Sequence, residues 1–154
     1  GTNANYYPAQ GPDSNVVYVG NASNTNSSTS PGMIAYCFTG VEGYSKFGKY
    51  VGNGSSSDGP FVYTGFRPKW ILFKMTSGSG DWRLMDTSRD PLNPCDSQLY
   101  PNTLDAEISS SAHYVDYLSN GFKVVTSHAA MNSSGATFIY AAFAEHPFKT
   151  SRAR

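Results

Sequence analysis

Charge is scarce in this chain: 14% of its 154 residues are Asp, Glu, Lys or Arg, and the formal net charge is zero. Such a chain offers no basic patch to a phosphate backbone or an anionic lipid surface, so no nucleic-acid partner and no membrane insertion are expected. Long apolar runs are missing too. Nothing approaches the roughly 20 residues of a spanning helix, and the opening Gly-Thr-Asn-Ala-Asn has no apolar core of a signal peptide. No stretch of about ten residues sustains helical periodicity between caps. The two cysteines leave the redox compartment open. Cys37 sits in the run Met-Ile-Ala-Tyr-Cys-Phe and reads as a small buried hydrophobe, whereas Cys95 reads as part of a proline-flanked loop. A disulfide between core and loop is not expected.

Catalytic equipment is equally thin. The three histidines, His113, His128 and His146, show no metal-ligand spacing and read as solvated side chains. Asp81, Asp86, Asp90, Asp96, Asp105, Glu107 and Asp116 are scattered and single out no carboxylate pair for glycoside hydrolysis. No nucleophile elbow occurs in a strand–turn–helix context, and Gly78-Ser79-Gly80 lacks the following helix of a phosphate site. Asn21, Asn26, Asn53 and Asn132 head Asn-x-Ser sequons, which arise by chance in so Asn- and Ser-rich a chain. The expectation is no catalytic residue, no metal and no cofactor.

What is abundant is aromatic: 11 Tyr and 9 Phe, set among 15 Gly. A chain of this length reads as one domain, large enough to bury about two thirds of its unfolded surface. Residues 43–74 set the pattern. Three pulses of aromatic and β-branched residues, at 47–51, 61–64 and 70–74, alternate as strands with one wet and one dry face. Gly52, Gly54 and Gly59 allow the chain to reverse between them, while Pro60 and Pro68 bar helix at the joints.

In chain order, residues 1–15 read as a polar arm or linker, with Tyr6-Tyr7-Pro8 able to dock on a neighbour. Residues 16–19 and 33–38 read as strands around a polar loop. The run Thr76 to Asp81 reads as a hairpin turn into a strand at 82–85, and 86–103 as a long surface excursion of the kind that gathers binding residues. Strands at 115–118, 121–125 and 137–144 follow, the first two joined by the sharp turn Ser119-Asn120-Gly121. The polar tail covers 149–154. The fold class expected is all-β, an antiparallel β-sandwich over residues 16–148.

The chain also echoes itself. The 16–38 order of Val-rich run, Asn-Ser-Ser turn and apolar strand recurs over 124–143. Residues 16–42 therefore read either as the end of a preceding repeat or as a matching hairpin within one sandwich.

For ligand binding, Trp82, Arg83, Asp86, Arg89 and Tyr100 bring together an aromatic face and planar polar groups, the pair of features that sugar recognition uses. The competing reading turns Trp82 into the core and leaves Asp86 and Arg89 as an exposed turn contact. Trp70, heading an apolar run, reads as core.

The joined motifs Ile34-Ala35-Tyr36-Cys37-Phe38, Val41-Glu42-Gly43-Tyr44-Ser45-Lys46-Phe47-Gly48, Tyr50-Val51-Gly52-Asn53-Gly54 and Asp58-Gly59-Pro60-Phe61-Val62 resemble the repeat of tail-fibre and related virion proteins of tailed bacteriophages. So do Gly65-Phe66-Arg67-Pro68-Lys69-Trp70, Leu118-Ser119-Asn120-Gly121-Phe122-Lys123 and Ala142-Phe143-Ala144-Glu145-His146-Pro147-Phe148. The resemblance spans most of 33–148 and is weakest over 1–32 and 86–112. It implies a lectin-like β-sandwich, of jelly-roll type, on the exterior of a virion and without catalytic residues. Implied partners are sister subunits in a homo-oligomer such as a trimer, other virion proteins, and a bacterial surface glycan or protein. The alternative implied role is a structural virion subunit that acts through packing.

Overall fold

The computed structural model describes residues 13–23, 25–26 and 32–146. The arm with Tyr6-Tyr7-Pro8, the Ser27-Ser28 part of the first polar loop and the tail at 149–154 lie outside the described residues. The chain divides into two units, Gly1–Phe38 and Thr39–Arg154.

In the first unit, the Asp13 carboxylate accepts from the backbone of Asn15 and Val16 at 2.7 and 2.8 Å, a turn made by a side chain in place of a ladder. Neither 16–19 nor 33–38 forms the strand its composition suggests. Ile34 and Tyr36 are 79% and 80% exposed. Aromatic and branched residues favour a strand through the neighbours they pack against, so composition alone does not make one. The hairpin reading of 16–38 therefore fails within the described residues, and Cys37, expected in a core, is exposed.

The second unit is all-β and antiparallel. Its strands are β1 (Ser45–Val51), β2 (Phe61–Tyr63), β3 (Pro68–Met75), β4 (Arg83–Asp86), β5 (Ser97–Gln98), β6 (Ile108–Ser109), β7 (Val115–Leu118), β8 (Gly121–Val124) and β9 (Thr137–Ala144). One helical turn, α1 (Ala129–Asn132), precedes β9. A four-stranded sheet runs β1-β9-β3-β4, a three-stranded sheet β2-β8-β7, and β5-β6 forms a ribbon.

Alternation decides which side chains are dry. Along β3, Ile71 and Phe73 point to the core, and along β9 Phe138, Tyr140 and Ala142 do so. From the smaller sheet come Val62, Phe122, Val124, Val115 and Tyr117. The two sheets share this one core, the arrangement of a β-sandwich. Phe122 of β8 makes the joint visible. Its ring meets Tyr50 of β1 edge-on at 6.3 Å and Tyr140 of β9 at 5.5 Å, while Tyr50 stacks on Phe138 at 4.9 Å.

Trp70 is not core. It lies on the outer face of the larger sheet, half-buried, with its ring 5.4 Å from Phe143. Phe47 and Tyr44 reach the same ring at 5.6 and 5.9 Å. Heading an apolar run did not place Trp70 inside, because the pleat sends it to the opposite side from Ile71.

Residues 86–103 are not a free excursion either. Leu99 bridges to Leu84 of β4 and Cys95 to Val115 of β7, so the segment borders both sheets. The Asn93 side chain continues this contact, accepting from Tyr117 N at 2.9 Å and donating to Tyr117 O at 3.0 Å. Cys95 is fully buried, the reverse of its expected place, and burial pushes its thiol up to about 12. Both cysteines are free.

Candidate functional site

The five residues singled out for ligand binding separate in space. Alternation along β4 turns Arg83 inward and Asp86 outward. Asp86 pairs with Arg89, whose Nε donates to its Oδ2 at 2.6 Å. Burial opposes charge on Asp86, but hydrogen bonds from Arg89 and Ser88 still hold its carboxyl below the ordinary range. Arg89 also reaches the Glu107 carboxylate, so two acids occupy its fork. Trp82 is half-buried, and its backbone N–H donates to Asn102 Oδ1 at 2.8 Å. The turn contact of Asp86 with Arg89 exists as the competing reading had it, but the inward side chain beside it is Arg83, not Trp82.

Arg83 and Tyr100 do meet, inside the protein. Arg83 is 6% exposed, and its guanidinium donates to the Tyr100 hydroxyl at 2.9 Å and lies 4.9 Å from that ring's centre. Among the described residues no carboxylate pairs with it. Arg83 donates to Gln98 Oε1, and Gln98 Nε2 donates to His113 Nδ1 at 2.6 Å. This chain of donors requires an unprotonated Nδ1, and the His128 ring lies 4.2 Å away. Burial first, then the charges of Arg83 and His128, bring His113 down to about 4. The expectation of solvated histidines is wrong for His113, because three separate segments converge on one buried polar row.

A pH dependence follows. The unfolded imidazole takes up a proton near pH 6.5 and the folded one near 4, so stability is complete above pH 6.5 and declines as pH falls towards 4. Between pH 7 and 4.5 the loss assignable to His113 is on the order of 2 kcal/mol. Urea unfolding of wild type and His113→Gln at the two pH values measures it. Equal acid losses in both proteins would remove His113 from the account.

A second cluster was not among the sequence candidates. A groove of about 430 Å³ is lined by Glu42, Lys46, Phe47 and Tyr63, with backbone from Gly40–Gly43 and Thr64–Gly65. Its walls are fixed by backbone bonds. Val41 and Ser45 exchange N–H···O bonds of 3.0 and 2.9 Å, and Ser45 Oγ donates to Thr39 O at 3.0 Å. Across the groove, Thr64 N and Gly65 N donate to Asn120 O at 3.0 and 3.1 Å. Gly43 and Gly65 take φ of 76° and 87°, a region that favours glycine, and so make the two tight turns possible.

β1 and β2 are the edge strands of their sheets, and the groove opens between them. Tyr63 is 58% exposed, and Lys46 Nζ stands 5.4 Å from its ring centre. The arrangement offers aromatic faces, one ammonium and one carboxylate on a preformed frame. The signal was present in the chain: in Phe61-Val62-Tyr63 the single dry residue is Val62, leaving two aromatics on the wet face.

Among the described residues no group of three His, Cys, Asp or Glu side chains is placed to hold a metal ion. No curated protein and no solved structure matches the chain. Residues 1–147 match the family model described as "Domain of unknown function (DUF7483)", and the chain belongs to that family.

Proposed function

We propose that the chain is a virion recognition module of tail-fibre type, a lectin-like β-sandwich carried on the outside of a phage particle that binds a host-surface glycan or protein without catalysis. The observation that carries this reading is the groove between β1 and β2, where Tyr63 keeps 58% of its surface uncovered on a rigid frame. An aromatic ring left in water beside a groove offers a ligand an apolar face and a polar tip. The resemblance of its motifs to those of fibre repeats suggests the setting, and a homo-oligomer suits it because a fibre multiplies weak sites.

A second reading, a structural subunit that works by packing, is favoured by the Trp70–Phe143–Phe47 cluster on the outer face of the larger sheet. Adsorption of the labelled chain to a panel of bacterial cells separates the two. The recognition reading expects saturable adsorption to some strains that Tyr63→Ala abolishes and Trp70→Ser spares. Adsorption to no strain, with an oligomer in light scattering that Trp70→Ser breaks, would favour the structural reading.

A further inference from the structure

We infer that the groove takes a neutral saccharide of one or two pyranose rings, an inference that rests on the recognition reading above. Size comes first. About 430 Å³ lies near the lower end of ligand sites, which run from about 300 to 1,000 Å³, and so suits a short ligand. Charge comes second. Lys46 and Glu42, of opposite charge, line the same groove. A phosphate or uronate drawn to Lys46 would face the Glu42 carboxylate, and a cationic ligand drawn to Glu42 would face Lys46. A hydroxyl group avoids this conflict, because it donates to a carboxylate and accepts from an ammonium.

Surface chemistry comes third. One side of a pyranose ring is a plane of C–H bonds, and Tyr63 offers an aromatic plane to cover it, with its own hydroxyl available at the rim. Phe47 also lines the groove, but its ring turns to the outer face of the larger sheet, 5.6 Å from Phe143, which leaves Tyr63 as the aromatic plane. Two of the five sequence candidates are already engaged. Arg83 is buried with its bonds turned inward, and Arg89 is occupied by Asp86 and Glu107.

The test is calorimetric titration of the whole chain with mannotriose, maltotriose and N,N′,N″-triacetylchitotriose, set against trigalacturonate. At least one neutral trisaccharide is expected to bind. Tyr63→Ala should weaken it at least about tenfold, Tyr63→Phe should retain it, and trigalacturonate should bind at least about tenfold more weakly. Tyr63 is exposed, so both variants should fold, which melting curves check. Preference for trigalacturonate, no binding of any neutral sugar, or binding indifferent to Tyr63→Ala would overturn the inference. Adsorption to cells that needs Tyr63 but is competed by none of the neutral sugars would remove this inference and leave the recognition reading in place. Adsorption to no strain would remove both.

Discussion

Phe122→Ala is expected to lower the unfolding free energy by about 4 kcal/mol. The Phe122 ring is fully buried and belongs to the smaller sheet, yet two of its ring contacts, Tyr50 and Tyr140, come from the larger one. Removing it therefore opens a cavity at the joint between sheets, where neither pleated backbone can close in without leaving its own ladder. The adjacent Phe61 supplies the control. It lies on the wet face of β2, so Phe61→Ala should cost less than about 1 kcal/mol. Urea unfolding of both variants gives the comparison, and similar costs for the two would contradict the two-sheet core.

Asn132→Asp is the second large effect. The Asn132 amide is fully buried and its Nδ2 donates to Asn53 Oδ1, Ser55 O and Thr126 O at 3.0, 2.9 and 2.8 Å, while its Oδ1 accepts from Asn53 N at 2.8 Å. This one side chain ties the loop after β1 to the segment before α1. Aspartate fits the space but turns a donor into a charged acceptor that faces three oxygens. The expected cost is at least about 4 kcal/mol at pH 7. Acidification should return part of it, because a protonated carboxyl donates again. Stability of this variant that is flat with pH, measured against wild type by urea unfolding, would contradict the bonding scheme. Asn132 had stood out in the chain as a chance sequon; its burial makes it a structural hub.

The sheets were legible because their code is local. β9 and β7 fall at the expected residues, and Ser119-Asn120 closes the β7–β8 hairpin with Leu118 opposite Gly121. Period-two alternation and turn chemistry fix those elements without reference to anything distant. Strands at 16–19 and 33–38 failed because composition states a preference, whereas a strand requires neighbours. Heading an apolar run does not carry the phase of the pleat, which sends Trp70 to the outer face. The buried row of Arg83, Gln98 and His113 was invisible because its members lie 15 residues apart at each step and meet only through the fold. The groove was hidden for the same reason. Residues 40–47 and 63–65 become neighbours when two different sheets present their edges on one side.

The most direct measurement is an amide and aromatic NMR titration of the whole chain with the trisaccharide that binds best in calorimetry. Shift changes are expected to concentrate on 40–47 and 63–65, with the Tyr63 ring among the largest. Changes concentrated on Trp82, Arg89 and Tyr100, or on Trp70 and Phe143, with the groove silent, would contradict this expectation.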